Sequence, residues 1–184
     1  TGNVRNTFQR ETGGLVGNNE GVILESYAKG NVYGGEISGG LVGYNEGGVV
    51  KSYAIGSVNG TTNVGGLIGN NTSTIESSYS KGDVNGNENV GGLVGYNEGG
   101  ILNSYSTGYI SGNNRVGGFI GLNNDSVVNS YWDVETSGME WSDGGEGKST
   151  EQMMKLNTYN NWNFTEIWSI NEGNSYPYFQ WDNE

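Results

Sequence analysis

Apolar residues in this chain come in short, largely β-branched runs, such as Val22-Ile23-Leu24 and Val49-Val50, set between Gly, Asn and Ser. The pattern recurs at a fixed interval. Gly13-Gly14-Leu15-Val16-Gly17 returns from Gly39 and Gly91, and as Gly-Gly-Leu-Ile-Gly from Gly65 and Gly-Gly-Phe-Ile-Gly from Gly117, each start 26 residues after the last. Ser-Tyr keeps the same period at Ser26-Tyr27, Ser52-Tyr53, Ser78-Tyr79, Ser104-Tyr105 and Ser130-Tyr131. So do two aliphatic columns, Ile23, Val49, Ile75, Ile101 and Val127, and Val32, Val58, Val84 and Ile110. A two-helix repeat needs about 33–45 residues and a propeller blade about 40, so both are too long for this unit. The spacing predicts an all-β fold: a parallel β-solenoid, right- or left-handed, of about five coils with one unit per coil. At a strand spacing of about 4.8 Å the five coils make a short rod of roughly 24 Å.

Vertical stacking assigns a task to each column. Asn19, Asn45, Asn71, Asn97 and Asn123 are expected to form an amide ladder at a turn. Gly30, Gly56, Gly82 and Gly108, with Gly34, Gly60, Gly86 and Gly112, read as corners needing positive φ. The Ser-Tyr column leaves two arrangements open. Strict alternation along residues 23–28 puts Tyr27, Tyr53, Tyr79, Tyr105 and Tyr131 on the wet face of Glu25, as an exposed aromatic ladder. A bulge or corner near Glu25 would instead turn both the aliphatic and the tyrosine inward.

Both ends depart from the repeat. Residues 1–12, with Val4 and Phe8, read as a partial coil that starts part-way through a unit, so that the natural chain is expected to continue upstream. Residues 13–136 are the solenoid. Residues 137–184 read as a C-terminal cap over the last ladder, and all five tryptophans follow Tyr131. Within the cap, Ser149 and Gln152 have the spacing of a capping box and predict a short helix. The stretches around Trp168 and Tyr178 are candidate closing strands.

Composition removes most chemistry. Among 184 residues there is no Cys and no His, which excludes disulfides, thiolate zinc sites, Ser-His-Asp triads and Cys-His dyads. Glycine numbers 35 without a collagen period, and 12 Tyr, 5 Trp and 4 Phe argue for a packed fold rather than a disordered linker. The net charge of −12 opposes nucleic acid and anionic lipid as partners. No apolar run approaches the roughly 18 residues of a membrane span, and no secretion signal opens the chain.

The repeated Gly-Leu-Val-Gly and Gly-Leu-Ile-Gly with the downstream Ser-Tyr resemble the GLUG motif of bacterial surface proteins, among them adhesin-like proteins and some immunoglobulin A proteases. Ser130-Tyr131-Trp132-Asp133, Gly147-Lys148-Ser149-Thr150 and Trp168 through Tyr176-Pro177-Tyr178 resemble the segment that closes such arrays. The resemblance implies an extracellular or cell-surface, non-catalytic module of a larger protein, with neighbouring domains upstream as its covalent partners. In the proteases the catalytic zinc motif lies elsewhere.

Parallel β-helices also host polysaccharide hydrolases and lyases, the alternative reading here, and a hydrolase needs two or three converging carboxylates. Asp83, Asp125, Asp133, Asp143 and Asp182 are few, with Glu135 near Asp133, and Lys81 or Arg115 beside a tyrosine are the only lyase bases in view. Glu20, Glu46 and Glu98 share a turn column where stacked carboxylates invite a cation, but the calcium-roll nonapeptide is missing. No catalytic residue, metal ligand or cofactor is therefore assigned. Tyr44 and Tyr96 occupy a column that holds Asn18, Asn70 and Leu122 in the other units, so the coil itself does not demand an aromatic there. Two coils separate them, about 9.6 Å, comparable to a disaccharide repeat, and rings on a rigid rod stack on sugar faces at little entropic cost. Trp141, in the loop before the cap helix, is the third candidate platform. The expected partner is a polysaccharide or a cell-surface glycan.

Overall fold

A computed structural model describes residues 2–6 and 10–182. Phe8 lies outside the described residues, so its place in the partial coil is left aside. Each coil lays down five short strands, in the third coil Ile68–Asn71, Ile75–Glu76, Tyr79–Ser80, Val84–Asn85 and Glu88–Gly91. Equivalent strands pair in parallel, building five sheets that run the length of the solenoid. The register follows the 26-residue period: Ile75 pairs with Val49 and Ile101, and Tyr79 with Tyr53 and Tyr105. The β-solenoid expected from the repeat is the observed fold. Strands stay short because 26 residues must turn five corners, and each coil finds its backbone partners in its neighbours.

Stacked aliphatics fill the interior in two columns. Leu41, Val42, Val49, Ile68, Ile75, Leu93 and Ile101 belong to one cluster, and Val32, Val58, Val84 and Ile110 to another. The amide ladder is present: each Asn Nδ2 donates to the Oδ1 of the next coil's Asn over 2.7–2.8 Å, from Asn19 through Asn45, Asn71 and Asn97 to Asn123.

The glycine columns act differently from the corner reading. None of Gly30, Gly56, Gly82, Gly108, Gly34, Gly60, Gly86 and Gly112 is among the positive-φ glycines. A Cβ on Gly56 would stand 2.1 Å from the Gly30 carbonyl oxygen, and one on Gly82 would stand 2.0 Å from that of Gly56. The column is glycine because neighbouring coils approach too closely for a side chain. Left-handed backbone sits instead at Glu25, Lys51, Ser77, Asn103 and Asn129, with φ of 46–49°. That residue breaks the alternation. Ile23 and Ala28 join the core, while Tyr27 faces away from it into a separate aromatic cluster with its stacked equivalents. The bend exists, then, but it turns the tyrosines outward rather than inward. Serine repairs the ladder at this bend: Ser78 Oγ accepts from the Ser52 amide at 3.2 Å and donates to the Glu76 carbonyl at 3.0 Å.

The C-terminal region does two jobs. Trp132 enters the core column held by Ala28 and Ala54 in the first coils and plugs its end. Helix α1 (Val134–Ser137) and the following loop close the last coil, and Glu146–Lys148 pairs in parallel with Tyr131–Asp133. Helix α2 (Thr150–Met153) begins at the expected capping box of Ser149 and Gln152. The rest of the tail is not laid over the last ladder. Trp168–Ser169 and Tyr178–Phe179 pair with each other, antiparallel, and the tail runs back along the flank over the tyrosine column. Trp162 meets the Tyr105 and Tyr131 rings, Trp168 those of Tyr79 and Tyr105, Phe179 those of Tyr53 and Tyr79, and Trp181 those of Tyr27 and Tyr53.

Candidate functional site

Strands Val42–Asn45, Ile68–Asn71 and Val94–Asn97 share one pattern, in which the first, second and fourth residues are buried and the third is only partly so. Val42, Ile68 and Val94 are buried, while the third residue of each strand is half-buried and stands on the outer wall. There Tyr44, Asn70 and Tyr96 lie in register on three successive coils. Both rings are half-buried. The Tyr96 hydroxyl donates to Glu98 Oε1 at 2.6 Å and accepts from Asn124 Nδ2 at 3.1 Å, which fixes its ring over the wall. Because its hydroxyl donates to the Glu98 carboxylate, the Tyr96 phenol keeps its proton and is held above its ordinary pKa. Asn70 Oδ1, between the two tyrosine steps, is shielded and has no hydrogen-bond partner. Trp141 is 54% exposed but stands elsewhere. Its carbonyl accepts from Gly118 N at 3.0 Å, four residues ahead of Leu122, where the tyrosine column ends. The wall therefore groups Tyr44, Asn70 and Tyr96 and leaves Trp141 on the closing loop. Sequence reasoning named Asn70 only as a column occupant; sharing the column with both tyrosines was the signal that placed it.

The larger aromatic surface is already occupied. Tyr27, Tyr53, Tyr79 and Tyr105 stack at centroid separations of 5.2, 4.7 and 5.0 Å, the step of the coils themselves. The tail buries Tyr53, Tyr79, Tyr105 and Tyr131. Tyr105 OH donates to the Pro177 carbonyl at 2.5 Å, tying the two layers. Lys81 Nζ lies 4.9 Å from the Tyr79 ring centre and 6.0 Å from that of Tyr176, and burial lowers its pKa. This cation seals the seam between layers rather than facing a cleft.

The carboxylates singled out from sequence close local structure. Asp133 is buried: Oδ1 accepts from the amides of Glu135 and Thr136, and Oδ2 from Thr150 Oγ1 and Tyr176 OH, both at 2.7 Å. One side chain thus fastens the last coil, both helices and the tail. Asp143 Oδ2 accepts from Asn123 N at 2.8 Å, and Asp83 Oδ1 from Tyr109 N at 3.0 Å. A cavity of about 310 Å³ opens where the closing strand meets the tail, lined by Asn129, Tyr131 and Asn160 with Glu146 as its one carboxylate.

Residues 60–85 and 86–111 each match the family model of the GLUG motif. The chain carries GLUG repeats. Each matched segment covers one full turn of the solenoid, so the GLUG unit and the structural coil are the same object. The first two glycines of its Gly-Gly-Leu-Ile-Gly leave no room for a side chain: a Cβ on Gly65 would fall 2.0 Å from the Ile68 carbonyl oxygen of its own coil and 2.8 Å from Gly95 N of the next, and one on Gly66 2.1 Å from the Gly92 carbonyl oxygen. Neither the curated proteins nor the solved structures contain a match to the chain. Among the described residues, no helix is long and apolar enough to cross a membrane.

Proposed function

We propose that this GLUG solenoid is a non-catalytic binding module of a larger bacterial surface-associated protein, attaching to carbohydrate through its outer wall. The observation that carries the reading is the in-register column of Tyr44, Asn70 and Tyr96. The two rings, two coil steps or about 9.6 Å apart, match alternate sugars of an extended chain laid parallel to the solenoid axis. The Asn70 amide sits at the intervening sugar. A net charge of −12 favours a neutral glycan over an acidic one. The wall is rigid before binding, since every backbone step is held by its neighbours, so little ordering cost offsets ring stacking.

A glycan array probed with the intact protein, then with Tyr44→Ala and Tyr96→Ala, tests this. Each substitution should weaken binding to a neutral, extended glycan by about tenfold, near 1.4 kcal/mol, with Trp141→Ala unchanged. Equal binding by all variants would reject the column. New reducing ends or unsaturated products after incubation with the bound polysaccharide would instead overturn the non-catalytic part.

A further inference from the structure

The two ends of the solenoid are chemically unlike. At the C-terminal end, the amides around Ile120–Asn123 that would seek another coil already have partners. In an interior coil, Leu93 N and Val94 N both donate to the Phe119 carbonyl, at 2.8 and 3.2 Å. On the last coil, Phe119 N and Ile120 N both donate to Ser142 Oγ, at 3.1 and 2.9 Å. One hydroxyl thus imitates the carbonyl of a further coil. The Trp141 carbonyl and the Asp143 carboxylate do the same for Gly118 N and Asn123 N, and Glu146–Lys148 supplies a real strand.

At the other end only two of the five sheets are continued, by Val4–Arg5 and Glu11–Gly13. Among the described residues, nothing pairs with the far side of Val16–Asn19, Ile23–Leu24 or Tyr27–Ala28. The Leu15 carbonyl occupies the place of the Leu41 carbonyl, which accepts from both Leu15 N and Val16 N. Leu15 is 48% exposed where Leu41 is fully buried, and Tyr27 46% where Tyr53 is 2%. Asn19 holds the first acceptor of the amide ladder, with no asparagine beneath it among the described residues.

We infer that this edge is a docking surface for one further GLUG coil whose own C-terminal edge is uncapped. The coil-to-coil interface within the molecule continues unbroken to this edge, with the same column of Leu, Asn, Ser and Tyr and the same unpaired backbone pattern. A second copy of this chain cannot supply that coil head-to-tail, because its matching edge is closed by residues 141–148. The module therefore ends a stack on one side and accepts one on the other.

Register defines the test. Gly2 and Asn3 stand against Gly30 and Asn31, so the described N-terminal residues pair 28 positions on. A copy of residues 39–54 joined directly ahead of Thr1 in the full chain should lay the copy of Tyr53 over Tyr27. Hydrogen exchange at Glu20 and Tyr27 should slow by about 100-fold or more, since their equivalents Glu46 and Tyr53 donate to the preceding coil at 2.8 and 3.0 Å. The same extension with one extra Ser at the joint should give no protection. Leu15→Asp should be nearly neutral in the original chain and strongly destabilising in the extended one. Unchanged exchange, equal protection in the slipped variant, or an equal effect of Leu15→Asp in both backgrounds would overturn the inference. So would sedimentation showing the original chain as a dimer that the extension dissolves, which would make a second copy the occupant.

Discussion

A single asparagine in the ladder joins three coils. Asn71 accepts from Asn45 Nδ2 and donates to Asn97 Oδ1 and to the Ser73 carbonyl, all within 2.7–2.8 Å. Asn71→Ala removes these bonds and leaves buried amide groups on both neighbours without partners. The expected cost is about 2–4 kcal/mol, a fall of about 5–15 °C in the thermal midpoint. Asn19→Ala, at the open end where water replaces the lost partner, should cost less than half as much. Equal losses would mean that the turn, not the amide chain, sets the stability. The tyrosines give a second residue-level test. Burial raises the phenol pKa of Tyr53, Tyr79, Tyr105, Tyr131 and Tyr159, and burial with the bond to Asp133 pushes Tyr176 to about 12. A phenol whose folded pKa exceeds the unfolded value of about 10 contributes stability that is complete below pH 10 and lost as pH rises through the folded value. The protein should therefore hold its tail to about pH 10 and release it near and above pH 12. Tyrosine ionisation at 295 nm and the tryptophan emission shift should then move together; independent transitions would separate the phenols from the tail's attachment.

The tail is the element that the phenols and tryptophans hold in place. Trp168 is fully buried between the strand of Phe179 and the Tyr79 and Tyr105 rings. Trp168→Ala should cost about 3–5 kcal/mol, and the loss should be local. Limited proteolysis should open residues 155–180 while exchange at the Asn ladder stays slow; global unfolding would show that solenoid and tail fold as one unit. This element was also the least legible in sequence. Stacked coils repeat their chemistry, so five copies of Asn and of Gly-Gly-x-x-Gly spell out register, ladder and period. The tail has no second copy to compare, and its tryptophans look the same whether they close an end or cover a side. Ser149 and Gln152 were readable because a capping box is local. The direction of Tyr27 was not, because alternation assumes extended backbone and the break lies in a left-handed residue occupied by Glu, Lys, Ser and Asn. The chemically mixed column, with Asn at 103 and 129, was the only trace of that bend. At Gly56 and Gly82 the error ran the other way, since glycine was assigned to dihedral freedom when the true constraint was the distance between coils. The outer tyrosines at 44 and 96 were visible for the same reason as the ladders: they depart from the Asn18, Asn70 and Leu122 that fill the column in the other three units.

At the scale of the molecule, two length measures must agree. The solenoid has a column of five tyrosines, and the tail has aromatic groups spaced to reach from Tyr131 at one end to Tyr27 at the other. Solenoid stability is approximately a sum of coil and nearest-neighbour terms, so removing a whole unit should subtract one term and preserve the register of the rest. Deleting residues 66–91 joins Gly65 to Gly92 at equivalent points of the repeat and shortens the ladder by one tyrosine. The shortened protein should fold with the same β signature and a lower stability. Its tail, still anchored by Asp133 at the closed end, should then overhang the open end by one step. Trp181 would lose its place against the first two rings, and its emission should shift to the red while that of Trp168 stays blue. A deletion of 13 residues, half a period, should instead place the Asn column against unrelated positions and abolish the cooperative transition. If both deletions unfold alike, the tail's length match, rather than coil stacking, would be what holds the solenoid together.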